Sequence, residues 1–303
     1  MEMAMADTPI TEIMPELLIG RLRFAFDNWL SGGVPPEKVA KFKAEAGAAV
    51  RTYYSNNDHG YGHSCAVYCQ AKEIAGRSPK MMNLALQEKG LTPQQGDWVL
   101  TWASVLHDLM RFFGYDTRDH EAAAGELARA AFWKDCMAIE EALAEAVVCH
   151  DYFCPIVNGE PMPLLFMKAP LTEIIRLADK TSISPVAEVN RWWEYGQRQA
   201  LVFFNPDLPD AVRFDLQGNY GQRDFVTFLL AFFALQPSDF YAEEAASAYR
   251  QWARDKAEAL RRILALAREQ RVSERTVMEI IKRFHDCYNL PMPEGSKSLR
   301  VYS

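Results

Sequence analysis

The sequence predicts a layered all-α bundle, and three observations carry that expectation. Apolar residues recur at spacings of three and four over most of the first two-thirds of the chain, as the buried face of an amphipathic helix requires. No stretch shows a comparable period-two alternation, the mark of a half-buried strand. Proline stands at or near several of the expected helix starts, where its missing N–H leaves no helical bond unmade.

In chain order the periodic segments are 15–30, 36–53, 63–75, 94–110, 119–132 and 135–150. Pro35-Pro36, Ser78-Pro79, Pro155 and Pro161-Met162-Pro163 punctuate them. Helical patterning resumes at 186–200, and 205–215, with its prolines and aspartates, reads as a crossing loop. Segments 225–235, 238–270 and 273–288 complete the set, with Ser238 as the expected cap of the longest. No internal repeat and no low-complexity linker cuts the chain.

With 303 residues, 49% hydrophobic and 12% aromatic, the chain can bury a sizeable core. A net charge of −7 lacks the basic footprint of a nucleic-acid binder, so no polynucleotide partner is expected. The longest strongly apolar segment, 225–235, falls short of the roughly 18 residues that a membrane span needs and reads as a core helix. Residues 1–9 contain Glu2 and Asp7 and no basic start leading into an apolar run, so a cytoplasmic location is expected. The six cysteines form no CxxC pair and read as reduced and mostly buried.

The chemistry-bearing residues form one ordered series: His59 and His63, then His107-Asp108, His120, His150 and Asp179, which takes in five of the six histidines. Imidazole and carboxylate are the ligands that suit Mn, Fe, Co, Ni, Zn or Mg, and a catalytic ion needs several of them around an incompletely filled shell. A single histidine on an apolar helix is more often a hydrogen-bonded core residue, but the number and order here favour a divalent-metal site.

This order on helices resembles the HD-domain superfamily of metal-dependent phosphohydrolases over about residues 50 to 200. His59-Gly60-Tyr61-Gly62-His63 looks like the family's opening segment, Leu106-His107-Asp108-Leu109 like its signature dipeptide, and Leu177-Ala178-Asp179-Lys180 like its closing segment. The resemblance implies His63, His107, Asp108 and Asp179 as a four-ligand core. Asp119-His120-Glu121 and Cys149-His150-Asp151 resemble the two segments that binuclear members add. It further implies Asp108 as a bridging carboxylate, with His120 and His150 on a second ion, so one or two ions are expected. The corresponding division is 1–50 as N-terminal helices, 51–200 as the metal-binding core and 201–303 as a helical extension packed on it.

A metal pair clamps a phosphoryl oxygen and activates water, so Arg111 and Lys180 are the nearest candidates for neutralising phosphate, with Arg118 a weaker third. Both could equally be solvated helix residues or partners of Asp116 and Glu173. His59 either serves substrate or proton transfer, or caps the following helix. His285-Asp286 repeats the signature dipeptide, but nothing near it supplies further ligands.

The resemblance implies hydrolysis of a small phosphate ester, a nucleotide or related compound, with Asp108, His59, Arg111 and Lys180 in the catalytic machinery. Two rivals stand beside it. The same residues look like the di-iron branch of the superfamily, which cleaves C–C or C–P bonds with dioxygen and in which Tyr61 would gate an open iron position. A nucleotide-sensing module without turnover is the other. No glycine-tyrosine-proline signature follows His150, which disfavours a cyclic dinucleotide substrate. Trp192, Trp193, Tyr195, Phe203 and Phe204 either cover the pocket, build a face for a second copy of the chain, or simply pack.

Overall fold

The computed structural model describes residues 10–31, 34–115, 119–130, 137–148, 156–157, 160–161, 169–198, 200–205, 207, 224–226, 229 and 256–288. The architecture is all-α, as the periodicity predicts. Its helices are α1 (Pro15–Ser31), α2 (Pro36–Ser55), α3 (Tyr61–Arg77), α4 (Pro79–Lys89), α5 (Pro93–Leu106), α6 (His120–Arg129), α7 (Met137–Val147), α8 (Pro170–Thr181), α9 (Pro185–Arg198), α10 (Lys256–Glu269) and α11 (Glu274–Tyr288). The one strand pairing among the described residues joins β1 (Ile156–Val157) to β2 (Glu160–Pro161), antiparallel, with Ile156 opposite Pro161.

The described residues fall into two compact units, one within Met1–Ser182 and the other within Ile183–Asp239 and Ala246–Ser303. In the first, α5 is the central helix. Nine of its residues are buried, including all of Val99 to Leu106, and it packs on α3 and α7. Its start is fixed by a capping box, in which the Thr92 hydroxyl accepts from the Gln95 N–H while the Gln95 side chain accepts from the Thr92 N–H. Helix α8 is buried along nearly its whole length and lies against α3 and α7. Helices α1 and α2 pair with each other, and Phe26, Trp29 and Phe42 form an aromatic cluster with Phe113.

In the second unit α9 packs on α10, and Arg262 Nε donates to Asn190 Oδ1 at 2.7 Å. Phe203, Phe204, Phe225, Ile263 and Ile280 belong to its core, with Trp192 and Trp193 packed against them. Trp193 stands 5.0 Å from Phe225, ring centre to ring centre. Among the alternatives for this aromatic run, the described contacts are those of ordinary packing. The dipeptide His285-Asp286 lies on α11, with its side chains outside the described residues.

Three local differences from the sequence expectations have physical causes. Helix α4 is not among the expected segments, yet Pro79 in its first turn and left-handed Gly90 (φ 64°) beyond its end are the punctuation of a short helix. Cys65 and Cys69 are half-buried and exposed respectively, not buried, because α3 turns His63, Ser64, Val67, Ala71 and Ile74 to the core. Cys136, Cys149, Cys154 and Cys287 lie outside the residues whose side chains are described.

The third difference sits at the site itself. The continuous helix expected over 94–110 stops at Leu106, and the chain resumes as a 3-10 turn over Leu109–Phe113 that ends on left-handed Gly114 (φ 83°). In an uninterrupted α-helix successive side chains point about 100° apart. The break lets adjacent His107 and Asp108 face one centre. No helix among the described residues is long and apolar enough to cross a membrane; the 225–235 segment and residues 1–9 lie largely or wholly outside them.

Candidate metal centre

Three helix ends converge on the centre. His63 is in the first turn of α3, His107 caps the C-terminus of α5, and Asp179 is in the last turn of α8. The carbonyl ends of α5 and α8 carry partial negative charge, which favours a cation where they meet. The loop before α3 is held by Asn56, whose Oδ1 accepts from the N–H groups of Asp58 and His59 at 2.9 and 2.8 Å.

Gly60 follows at a point where the backbone closes tightly: a Cβ there would stand 2.2 Å from the carbonyl oxygens of both Asn56 and Tyr53. Neither oxygen belongs to a flexible side chain. Gly60→Ala is therefore expected to cost about 1–3 kcal/mol of stability, read as a lowered melting temperature. An unchanged melting temperature would mean that the turn relaxes without cost and does not hold His59 in place.

His63 Nε2 lies 3.0 Å from Asp179 Oδ1, 3.3 Å from His107 Nε2 and 3.7 Å from Asp108 Oδ2. His107 Nε2 is 3.4 Å from Asp108 Oδ2 and 3.9 Å from Asp179 Oδ1. With metal–ligand bonds of about 2.1 Å, neighbouring ligand atoms stand about 3.0 Å apart in an octahedral shell and about 3.4 Å apart in a tetrahedral one. The observed separations have that scale. Two overlapping groups share His63, and either could hold an ion: His59 with His63 and Asp108, or His63 with His107 and Asp179.

Protonation suits the same purpose. His107 Nδ1 is 2.8 Å from the Ser104 carbonyl, which can only accept, so Nδ1 donates there and Nε2 is the nitrogen turned to the centre. Burial lowers the His63 pKa and favours its neutral, ligating form, although Asp179 pulls the other way. His63 Nδ1 is buried with no hydrogen-bond partner among the described residues, so this ring is oriented by its Nε2 contacts alone.

Burial alone would raise the Asp108 carboxyl, but Arg111, His59 and His107 outweigh it and hold it well below the usual carboxylate range. Asp179 is likewise held down, against its burial, by Lys180, His63 and His107. Imidazoles and ionised carboxylates at these distances could hold a divalent cation.

The two oxygens of Asp108 have different neighbours. Oδ2 faces His63 and His107 and lies 2.7 Å from His59 Nδ1. Oδ1 receives Arg111 Nε at 2.5 Å and faces His120 Nε2 at 3.3 Å. In the 3-10 turn, residues three apart are eclipsed, which stacks Arg111 on Asp108. Lys180 Nζ lies 2.9 Å from Asp179 Oδ2.

The structure thus brings together His59, His63, His107, Asp108, Arg111, His120, Asp179 and Lys180. His150, Asp151, Arg118 and Asp116 lie outside the described residues. Three placements bear on alternatives left by the sequence. His59 does not cap α3, whose N-cap is Gly60, and its one-third exposed ring sits on Asp108. Arg111 and Lys180 are both engaged by the candidate ligand carboxylates. Tyr61 is a packed aromatic, stacked on Tyr54 at 4.3 Å and donating its hydroxyl to the Ile10 carbonyl. The Ser104 carbonyl has no sequence signal, because its part belongs to the backbone at the end of α5.

Comparison with known protein families, with curated proteins and with solved structures finds no match. The cluster is compatible with an HD-type metal site, and that compatibility rests on the placement of His59, His63, His107, Asp108 and Asp179.

Proposed function

We propose that the chain is a metal-dependent phosphohydrolase of HD-domain type acting on a small phosphate ester, a nucleotide or related compound. The observation that carries this reading is the pair of His/Asp groups sharing His63, with a basic side chain on each carboxylate. His63, His107, Asp108 and Asp179 would hold a divalent ion, with His120 beside the outer oxygen of Asp108. Bound there, an ion would supply polarisation of a phosphoryl oxygen and a lowered pKa for a bound water.

The remaining work falls to the chain's own groups. Ionised Asp108 can only accept from His59, so His59 Nδ1 carries the proton and Nε2 is left to take up or deliver another. Its partly exposed position gives that nitrogen access to substrate and solvent. Arg111 and Lys180 first keep Asp108 and Asp179 ionised, and their positive charge favours an anionic substrate beside them.

The test is elemental analysis of protein purified without chelator or a nickel-affinity step and with oxygen excluded, followed by a phosphate-release panel on nucleotides and phosphomonoesters. Manganese, magnesium, cobalt or zinc with release of phosphate is the expected result. Two iron atoms per chain together with dioxygen consumption would replace this reading with the oxygenase. Persistent absence of metal would replace it with a binding module.

A further inference from the structure

The two sides of Asp108 differ in a way that bears on how many ions the centre takes. Resting on the metal-site reading above, we infer that Arg111 occupies the place of a second ion, so that the chain holds one ion and Arg111 supplies the second positive charge. A bridging Asp108 would have to offer Oδ1 to that ion, with His120 Nε2, 3.3 Å from Oδ1, as its neighbour. Arg111 Nε already stands on Oδ1 at 2.5 Å.

An ion on the same oxygen, at a bond length of about 2.1 Å, would lie no farther than about 4.6 Å from Arg111 Nε, the two separations laid end to end. The repulsion has no ready relief. A guanidinium does not give up its proton, so Arg111 remains charged whatever binds nearby. Nor is its side chain a loose surface group: it is one-fifth exposed and eclipses Asp108 in the 3-10 turn over Leu109–Phe113. Oδ2, by contrast, faces the imidazoles of His59, His63 and His107, so the ion-binding side of Asp108 is the side away from Arg111.

The inference makes the ion count depend on the charge of one side chain. The full chain, stripped with a chelator and dialysed, is titrated with Mn²⁺ and its bound ions are counted by elemental analysis. Paramagnetic resonance distinguishes an isolated manganese from an exchange-coupled pair. Wild-type protein is expected to saturate at one ion per chain with an uncoupled signal. Arg111→Met, neutral and of similar length, is expected to take up a second ion and show the coupled signal. Arg111→Lys, which keeps the charge, is expected to stay at one.

Arg111→Gln provides a second neutral side chain should methionine impair folding. Wild-type protein that binds two coupled ions overturns this inference and leaves the phosphohydrolase reading standing. Neutral variants that fold and remain at one ion overturn it as well. Wild-type protein that binds no ion overturns instead the metal-site reading beneath it.

Discussion

Asp108→Asn is expected to lose the proposed metal binding and the proposed phosphate release together. Asparagine fills the same volume but brings no negative charge, and Asp108 is the carboxylate that meets His59, His63, His107, His120 and Arg111. Losing even an outer partner of a metal ligand weakens binding by about 10–100-fold, so loss of the ligand itself should cost at least that much. Phosphate release is expected to fall by about a thousandfold or more, since ion, His59 and Arg111 are all organised around this side chain. The part-buried Arg111 would also lose its ion pair with Asp108, so a lower melting temperature should accompany the loss. Unchanged metal content and undiminished phosphate release in a folded Asp108→Asn protein would show that the centre lies elsewhere.

Removal of the ion from wild-type protein is expected to lower the melting temperature by roughly 5–10 °C. An ion at a hundred times its dissociation constant stabilises the folded state by about 2.7 kcal/mol, and each kcal/mol moves the melting temperature of a chain of this size by about 2–4 °C. The stripped protein should also lose stability as the pH falls, and the sign follows from His63. Burial holds its folded pKa below the ordinary imidazole value. The unfolded chain therefore binds a proton first, and the contribution of His63 is present above about pH 6.5 and lost as pH falls through the lowered value.

The slope reaches about 1.4 kcal/mol per pH unit where one whole proton distinguishes the two states. Asp108 and Asp179, also held below their ordinary values, add to the loss only below about pH 3.9. Thermal melts of the stripped protein between about pH 7 and about pH 5 read the His63 contribution. A flat profile there would mean that His63 is not kept neutral by its surroundings.

Helix legibility followed local signals. Segments such as 36–53 and 63–75 show their apolar stripe directly, and the structure has α2 and α3 there. Short α4 has a weak stripe and was marked only by proline in its first turn and glycine after it. The break after Leu106 was not legible, because Gln94 to Met110 reads as one continuous helical pattern. Where α5 ends, His107 and Asp108 meet partners from α3 and α8, contacts that local periodicity does not carry.

The helical class was written in the three-and-four spacing of the chain, which also carries imidazoles and carboxylates in an order that suits a candidate metal centre. The sequence also placed Arg111 and Lys180 beside that series, without deciding what they touch. Only the tertiary structure decided that His63 meets Asp179 across 116 positions, that His59 takes one oxygen of Asp108, and that Arg111 takes the other. Periodicity is a local property of the chain, whereas coordination depends on distances of a few Å between helix ends, and packing alone sets those.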